Sequence, residues 1–166
     1  MKQDKVTQDR INKLHPIWRE KVREAVAEAN ENLANKNVEV RIVQGLRTFA
    51  EQDALYAQGR TKPGPRVTKA RAGASLHNYG LAIDFCLLIG KKTVSWDLKK
   101  DFDNDKQADW IEVVRAFTKR GFLWGASFGD YPHIGAVKES MWKELLEKHK
   151  VKEFLPGTTY VDLYPA

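Results

Sequence analysis

Ser75-Leu76-His77-Asn78-Tyr79-Gly80-Leu81-Ala82-Ile83-Asp84 is the stretch on which the reading of this chain turns. It joins an imidazole, a glycine turn and a carboxylate set inside an apolar run. Asp84 stands between Ile83 and Phe85, and a carboxylate buried there costs several kcal/mol unless it is paired or on a metal. His77 and Asp84 are seven positions apart. On one continuous strand that odd spacing puts them on opposite faces. On a helix they share a face, but Gly80 and the strand-like run after it argue against a helix. A turn at Asn78-Tyr79-Gly80 solves this, with His77 before it and Asp84 on the strand that follows. Gly80 then supplies backbone freedom, or leaves room beside a metal.

The partner stretch is Asp130-Tyr131-Pro132-His133. His133 has to arrive on a neighbouring strand, and Pro132 suits an edge or irregular position there. Two imidazoles and one carboxylate make a three-ligand zinc set with one position open, the parts of a zinc hydrolase. The chain has only four His, so two in such contexts are not expected by chance. The ordinary alternatives are a salt bridge for Asp84 and a satisfied core or surface imidazole for each His.

Outward from this pair, 166 residues fit one domain with a core that needs no staples. Cys86 is the only cysteine, which excludes a disulfide framework and a Cys-based zinc site; Cys86 itself reads as a small core residue. No stretch reads as a leader or a membrane span; the longest apolar run, Leu81 to Ile89, is broken by Asp84. The chain is therefore expected to be made in the cytoplasm without a signal peptide. The net charge of +6 favours polyanions such as nucleic acid, anionic membranes or wall polymers. Its densest stretch runs from Arg60 to Arg71. The cations there are not interleaved with aromatics, which argues against nucleic acid.

Thr7 and Asp9 predict a cap for a short helix ending near Leu14. His15-Pro16 opens a longer helix with Ile17, Val22, Val26, Ala29 and Leu33 on one face, stopped at Asn35-Lys36-Asn37. Val38, Val40 and Ile42 alternate as a strand running to Gly45-Leu46. Thr48 and Glu51 form a capping box for a helix that Gly59 ends. Residues 60–74, with two Pro, two Gly and five basic residues, read as a long exposed loop. Leu81 to Ile89 is a buried strand, turning at Gly90-Lys91 into another at Thr93 to Trp96. Asn104 caps a helix ending at Arg120-Gly121, with Ile111, Val114 and Phe117 inward. Phe122–Trp124 and Tyr131–Ile134 are short strands, and Ser140–Lys148 is a helix. His15 and His149 read as structural. The five Trp read mostly as core, with Trp124 near the cleft. The predicted class is α+β: a small, mostly antiparallel sheet carrying the zinc site, flanked by helices.

Ser75-x-His77-x-x-Gly80-x-Ala82-x-Asp84 followed by Asp130-x-x-His133 resembles the zinc peptidases of the D-alanyl-D-alanine carboxypeptidase/VanY-like group. Leu14-His15-Pro16, Gly45-Leu46-Arg47-Thr48, Glu51-Gln52 and Leu55-Tyr56-Ala57-Gln58-Gly59-Arg60-Thr61 are similar to its L-alanyl-D-glutamate endopeptidase branch of phage endolysins and autolysins. The resemblance covers roughly residues 7–135. It implies a single peptidase domain over 1–166, without a separate wall-binding domain, acting on peptidoglycan stem peptides. It implies His77, Asp84 and His133 as zinc ligands, Asp130 as general base and Arg47 as oxyanion stabiliser. Ser75, Gln52 and Tyr131 are implied as substrate contacts. A monomer acting at the cell wall, released through a pore-forming partner, belongs to the same picture, with no nucleic acid and no membrane span. The basic 60–71 loop then reads as a lip that attracts stem-peptide carboxylates, or as a solvated surface loop.

Two departures stand out. Ile134-Gly135 follow the second His where relatives carry an aromatic and then an acidic or amide residue, so the usual partner of His133 is missing or comes from elsewhere. Trp124 to Gly129 is shorter and poorer in Trp than usual. The competing functions are a D-Ala-D-Ala dipeptidase or carboxypeptidase, and a non-catalytic zinc-stabilised binding module of the kind the hedgehog signalling domain represents.

Overall fold

The computed structural model describes residues 4–33 and 37–164. In chain order it runs α1 (Lys5–Ile11), α2 (Pro16–Asn32), β1 (Val38–Gln44), α3 (Phe49–Ala57), β2 (Ala82–Ile89), β3 (Thr93–Ser95), α4 (Asp109–Thr118), β4 (Leu123–Trp124), β5 (His133–Gly135) and α5 (Trp142–Lys150). Short 3-10 turns stand at Leu76–Tyr79, Gly125–Phe128 and Glu139–Met141. The expected α+β architecture with a small antiparallel sheet is what the chain forms.

β2 organises the sheet. One edge pairs with β1 over Asp84–Ile89, while the other is shared: Ala82–Asp84 pair with β5, and Leu87–Ile89 with β3. β4 closes the order β1-β2-β5-β4, and every pairing is antiparallel. Strand alternation divides the two faces. Phe85 packs on Trp110 of α4, ring centroids 4.4 Å apart, and lies close to Phe117. Its neighbour Asp84 therefore points to the opposite face. The helical layer is α2 against α4, with Val22, Ala25, Val26 and Ala29 of α2 buried at i, i+3, i+4, i+7 spacing.

Several starts and faces differ from expectation. Asp4, not Thr7 or Asp9, caps α1; its carboxylate accepts from Thr7 N at 3.1 Å. His15 caps α2 ahead of Pro16, and its Nε2 bonds the Val161 carbonyl at 2.8 Å. Ile17 lies off the buried face and is 47% exposed. α2 ends at Asn32 with Leu33 as its cap, ahead of the expected stop at Asn35-Lys36-Asn37, of which residues 35 and 36 lie outside the described residues. Thr48 and Glu51 do form the capping box of α3. Asn104 caps nothing: residues 101–107 are wound by side-chain-to-backbone bonds from Asp101, Asp103 and Asp105, and α4 starts later, at Asp109. Trp110 is the one fully buried Trp among the described residues, and Trp96 is half exposed. His149 is held by rings, tilted 4.6 Å from Phe49 and edge-on 5.3 Å from Phe154. Cys86 is buried, and burial pushes its thiol up to about 11.

Candidate metal centre

Three groups converge on the sheet face away from α2 and α4. Asp84 of β2 is directly opposite His133 of β5 in the strand register, so one pairing places a carboxylate beside an imidazole. His77 sits on the 3-10 turn, not in an extended segment before a turn. Ser75 caps that turn by accepting from His77 N at 3.3 Å, and Gly80 ends it at φ +67°. A Cβ at Gly80 would stand 2.7 Å from His15 N. The glycine therefore serves the turn and its contact with the Leu14-His15 backbone, rather than making room for a metal.

The ring nitrogens have assigned directions. His77 Nδ1 lies 2.9 Å from the Gly45 carbonyl, which can only accept, so Nδ1 carries the hydrogen and Nε2 faces the site. Nε2 is 3.3 Å from Asp84 Oδ1. His133 Nε2 lies 2.7 Å from Glu139 Oε1, and its Nδ1 is 3.3 Å from the same Asp84 oxygen. Asp84 Oδ1 is buried yet makes no hydrogen bond of proper geometry. One ligand atom from each of the three residues lies within 4.8 Å of the others. An orphaned carboxylate oxygen facing two oriented imidazole lone pairs fits a zinc ion, each imidazole being steered from behind by an acceptor.

Electrostatics follow the same arrangement. Burial alone would raise the Asp84 carboxyl, but His133 and His77 outweigh it and hold it well below the usual carboxylate range. Burial alone would lower His133; Asp84 and Glu139 reverse this and push it up to about 9. The two carboxylates thus favour a proton on His133, which a bound cation would displace.

A cleft of about 900 Å³ opens above the three groups. Asp130 and Phe128 line it from the β4–β5 connection, and Arg47 from the segment after β1. Asp130 hangs on a tight turn, its amide donating to the Gly125 carbonyl at 3.0 Å and its carbonyl accepting from His133 N at 3.2 Å. A Cβ at Gly125 would overlap the Asp130 carbonyl and lie 2.9 Å from His133 Cβ. Burial, then the Asp84 charge, raises the Asp130 carboxyl above its usual range. Arg47 is fixed by Nη1 donating to Gln52 Oε1 at 2.9 Å, and its Nε is buried without a hydrogen-bond partner. Burial pushes this guanidinium down, against Asp84, Glu51 and Asp130, which pull it up.

The expected substrate contacts divide. Ser75 lines the cleft. Tyr131 is exposed and packs beside Trp124, whose Nε1 donates to the Tyr131 carbonyl at 2.7 Å. Gln52 is fully buried; it holds Arg47 with its carbonyl and the Ala70 carbonyl with its amide at 2.8 Å. Its surroundings make it a brace, not a surface contact. Two residues escaped the sequence reading. Glu139 supplies the partner for His133 that Ile134-Gly135 lack. Asn78 joins the Arg47 carbonyl at 2.9 Å to Gly73 N at 3.0 Å. Nothing local marks Glu139. Asn78 is marked only by its place in the His77 turn.

Residues 68–136 match the D-alanyl-D-alanine carboxypeptidase family. The peptidoglycan L-alanyl-D-glutamate endopeptidase CwlK of Bacillus subtilis (strain 168) is 47% identical over 127 residues, 75% of this chain and 74% of CwlK. In three dimensions the chain is similar to the Serratia marcescens L-Ala D-Glu endopeptidase ChiX, with a TM-score of 0.50 at 20% identity over 82% of this chain and 90% of that one. That likeness concerns the fold. The matched segment contains His77, Asp84, Asp130 and His133 together, and the identity to CwlK extends well beyond it: this chain belongs to the D-alanyl-D-alanine carboxypeptidase family.

Proposed function

We propose that this chain is a zinc peptidase that hydrolyses the L-Ala–D-Glu bond of peptidoglycan stem peptides. The observation that carries this reading is the convergence of His77 Nε2, Asp84 Oδ1 and His133 Nδ1 in a cleft that Asp130 and Arg47 also line. The activity in the name of CwlK supports the choice of bond.

His77, Asp84 and His133 are the residues that would hold the ion, which supplies a water acidified from a pKa of ~15.7 to about 7 and a Lewis acid for the carbonyl. Asp130 accepts the proton of the attacking water and passes it to the leaving amine. Asp130 lines the same cleft as these groups, which is the placement that task requires. Arg47, which lines the cleft, offers its guanidinium to the oxyanion; a donor of this kind is worth about 3–4 kcal/mol in the barrier. Gln52 keeps that guanidinium in place, and Ser75 lines the cleft that a peptide enters, whereas Tyr131, exposed beside Trp124, is not among its lining residues. The cleft is complete within one chain, so the reading needs no partner subunit. One hydrophobic cluster runs from Ile11 to Val161, in keeping with a single peptidase domain. No helix among the described residues is long and apolar enough to cross a membrane, and the site of action on this reading is the cell wall.

The test is mass spectrometry of defined muropeptides incubated with the zinc-loaded chain. A new D-Glu amino terminus is the expected product. Release of D-Ala instead would favour a carboxypeptidase, and intact peptides would leave only a binding module.

A further inference from the structure

The basic loop after α3 is not a loose solvated strap. Gly59 N donates to the Lys62 carbonyl at 2.8 Å. Arg60 donates to the carbonyls of Tyr56 at 2.6 Å and Thr68 at 3.0 Å, while stacking 3.8 Å over the Tyr56 ring. Gln52 binds Ala70, Asp53 accepts from Ala72 N at 2.9 Å, and Asn78 accepts from Gly73 N. Arg71 lies over the same Tyr56 ring and bonds its hydroxyl. The backbone is therefore pinned at both ends and in the middle, and two of its five cations, Arg60 and Arg71, are engaged in pinning it.

Arg66 and Lys69 are left to face the cleft. Both are exposed and line it together with Asp84, Asp130 and Glu139. Arg66 makes one long contact, 3.4 Å to the Gly59 carbonyl. Lys69 has no hydrogen bond or ion pair among the described residues. The cleft thus has an acidic end at the candidate metal ligands and a cationic wall on a braced loop. A ligand bearing carboxylates is repelled by the first and attracted by the second. Because Gln52 holds both the loop and Arg47, the wall is in fixed register with the chemistry.

We propose that Arg66 and Lys69 form a carboxylate subsite that selects stem peptides with free acid groups over their carboxamide forms. This rests on the peptidase reading above and specifies which substrates that site prefers. Cations carried on a braced backbone cost less loop ordering on binding than cations on a mobile one, although exposed pairs remain partly screened by salt.

The experiment compares two stem peptides of one sequence, one with free side carboxylates and one with these converted to carboxamides. They are cut by wild type, Arg66→Gln, Lys69→Gln, the double variant, and Lys62→Gln as a control on the same loop. Wild type and Lys62→Gln should prefer the acid peptide by roughly tenfold in kcat/KM, on the order expected for two rim charges. The double variant should lose that preference through KM, with kcat and the rate on the carboxamide unchanged. Equal cutting of both peptides by wild type, or a preference that survives in the double variant, overturns the subsite. Failure to cut either peptide overturns the peptidase reading and the subsite with it.

Discussion

Glu139→Ala isolates a contact that only the folded chain reveals. Glu139 Oε1 lies 2.7 Å from His133 Nε2, on the side of the ring away from Asp84. It fixes which nitrogen faces the site and makes that nitrogen a better donor to a cation. Loss of such an orienting partner typically weakens metal binding by about 10–100-fold, or ~1.4–2.7 kcal/mol. The Glu139 side chain is 42% exposed, so water can partly replace it, and the lower end of about tenfold is expected. Glu139→Gln keeps an accepting oxygen and should recover most of the loss. The assay is competition for zinc against a chelator of known affinity, with circular dichroism to verify that the fold is unchanged. An affinity within twofold of wild type for Glu139→Ala would falsify the orienting role. Equal losses in the Ala and Gln variants would assign the effect to charge rather than to the hydrogen bond.

Other consequences are simpler. Gln52→Ala removes the brace of Arg47 and of the Ala70 backbone together; it should lower kcat by about tenfold or more while zinc stoichiometry stays at wild type, and an unchanged kcat would separate Arg47 from the chemistry. Gly125→Ala forces a Cβ against the Asp130 carbonyl; thermal denaturation should show a loss of about 1–3 kcal/mol, and no loss would mean the turn has another conformation open to it. In the metal-free chain His133 is raised to about 9 from an ordinary 6.5. Its stabilisation is therefore complete below pH 6.5 and lost as pH rises through about 9, on the order of a few kcal/mol. Zinc must displace that proton, so its affinity should rise over the same window; chelator-treated protein melted at several pH values, beside zinc titrations, checks both signs.

The convergence of His77, Asp84 and His133 was legible in the sequence because each lies in a short local pattern. A carboxylate between Ile83 and Phe85 has few uses, and period-2 alternation already separates it from the core face. Strand pairing then brought His133 opposite Asp84, as a neighbouring strand had to. Tertiary contacts were beyond such reasoning. Glu139 acts across a turn with no pattern of its own, and Gln52 was assigned to substrate because identity at a position does not tell which way a side chain points. Asn104 looked like a cap because Asn favours caps and Asx-type turns for the same reason, side-chain bonding to nearby backbone. Residues 60–74 read as an exposed loop, which they are, but most of its pins were invisible because they come from Gln52, Asp53, Tyr56 and Asn78, outside the segment.

The central claim, that His77, Asp84 and His133 hold a zinc ion for peptide hydrolysis, meets its most direct test in one paired measurement. Bound metal per chain and cleavage of purified peptidoglycan are determined on the same preparations of wild type and His77→Ala. One zinc per wild-type chain with active cleavage, and loss of both in the variant, is the predicted result. A His77→Ala protein that keeps stoichiometric zinc, or that still cuts the wall, would contradict the account.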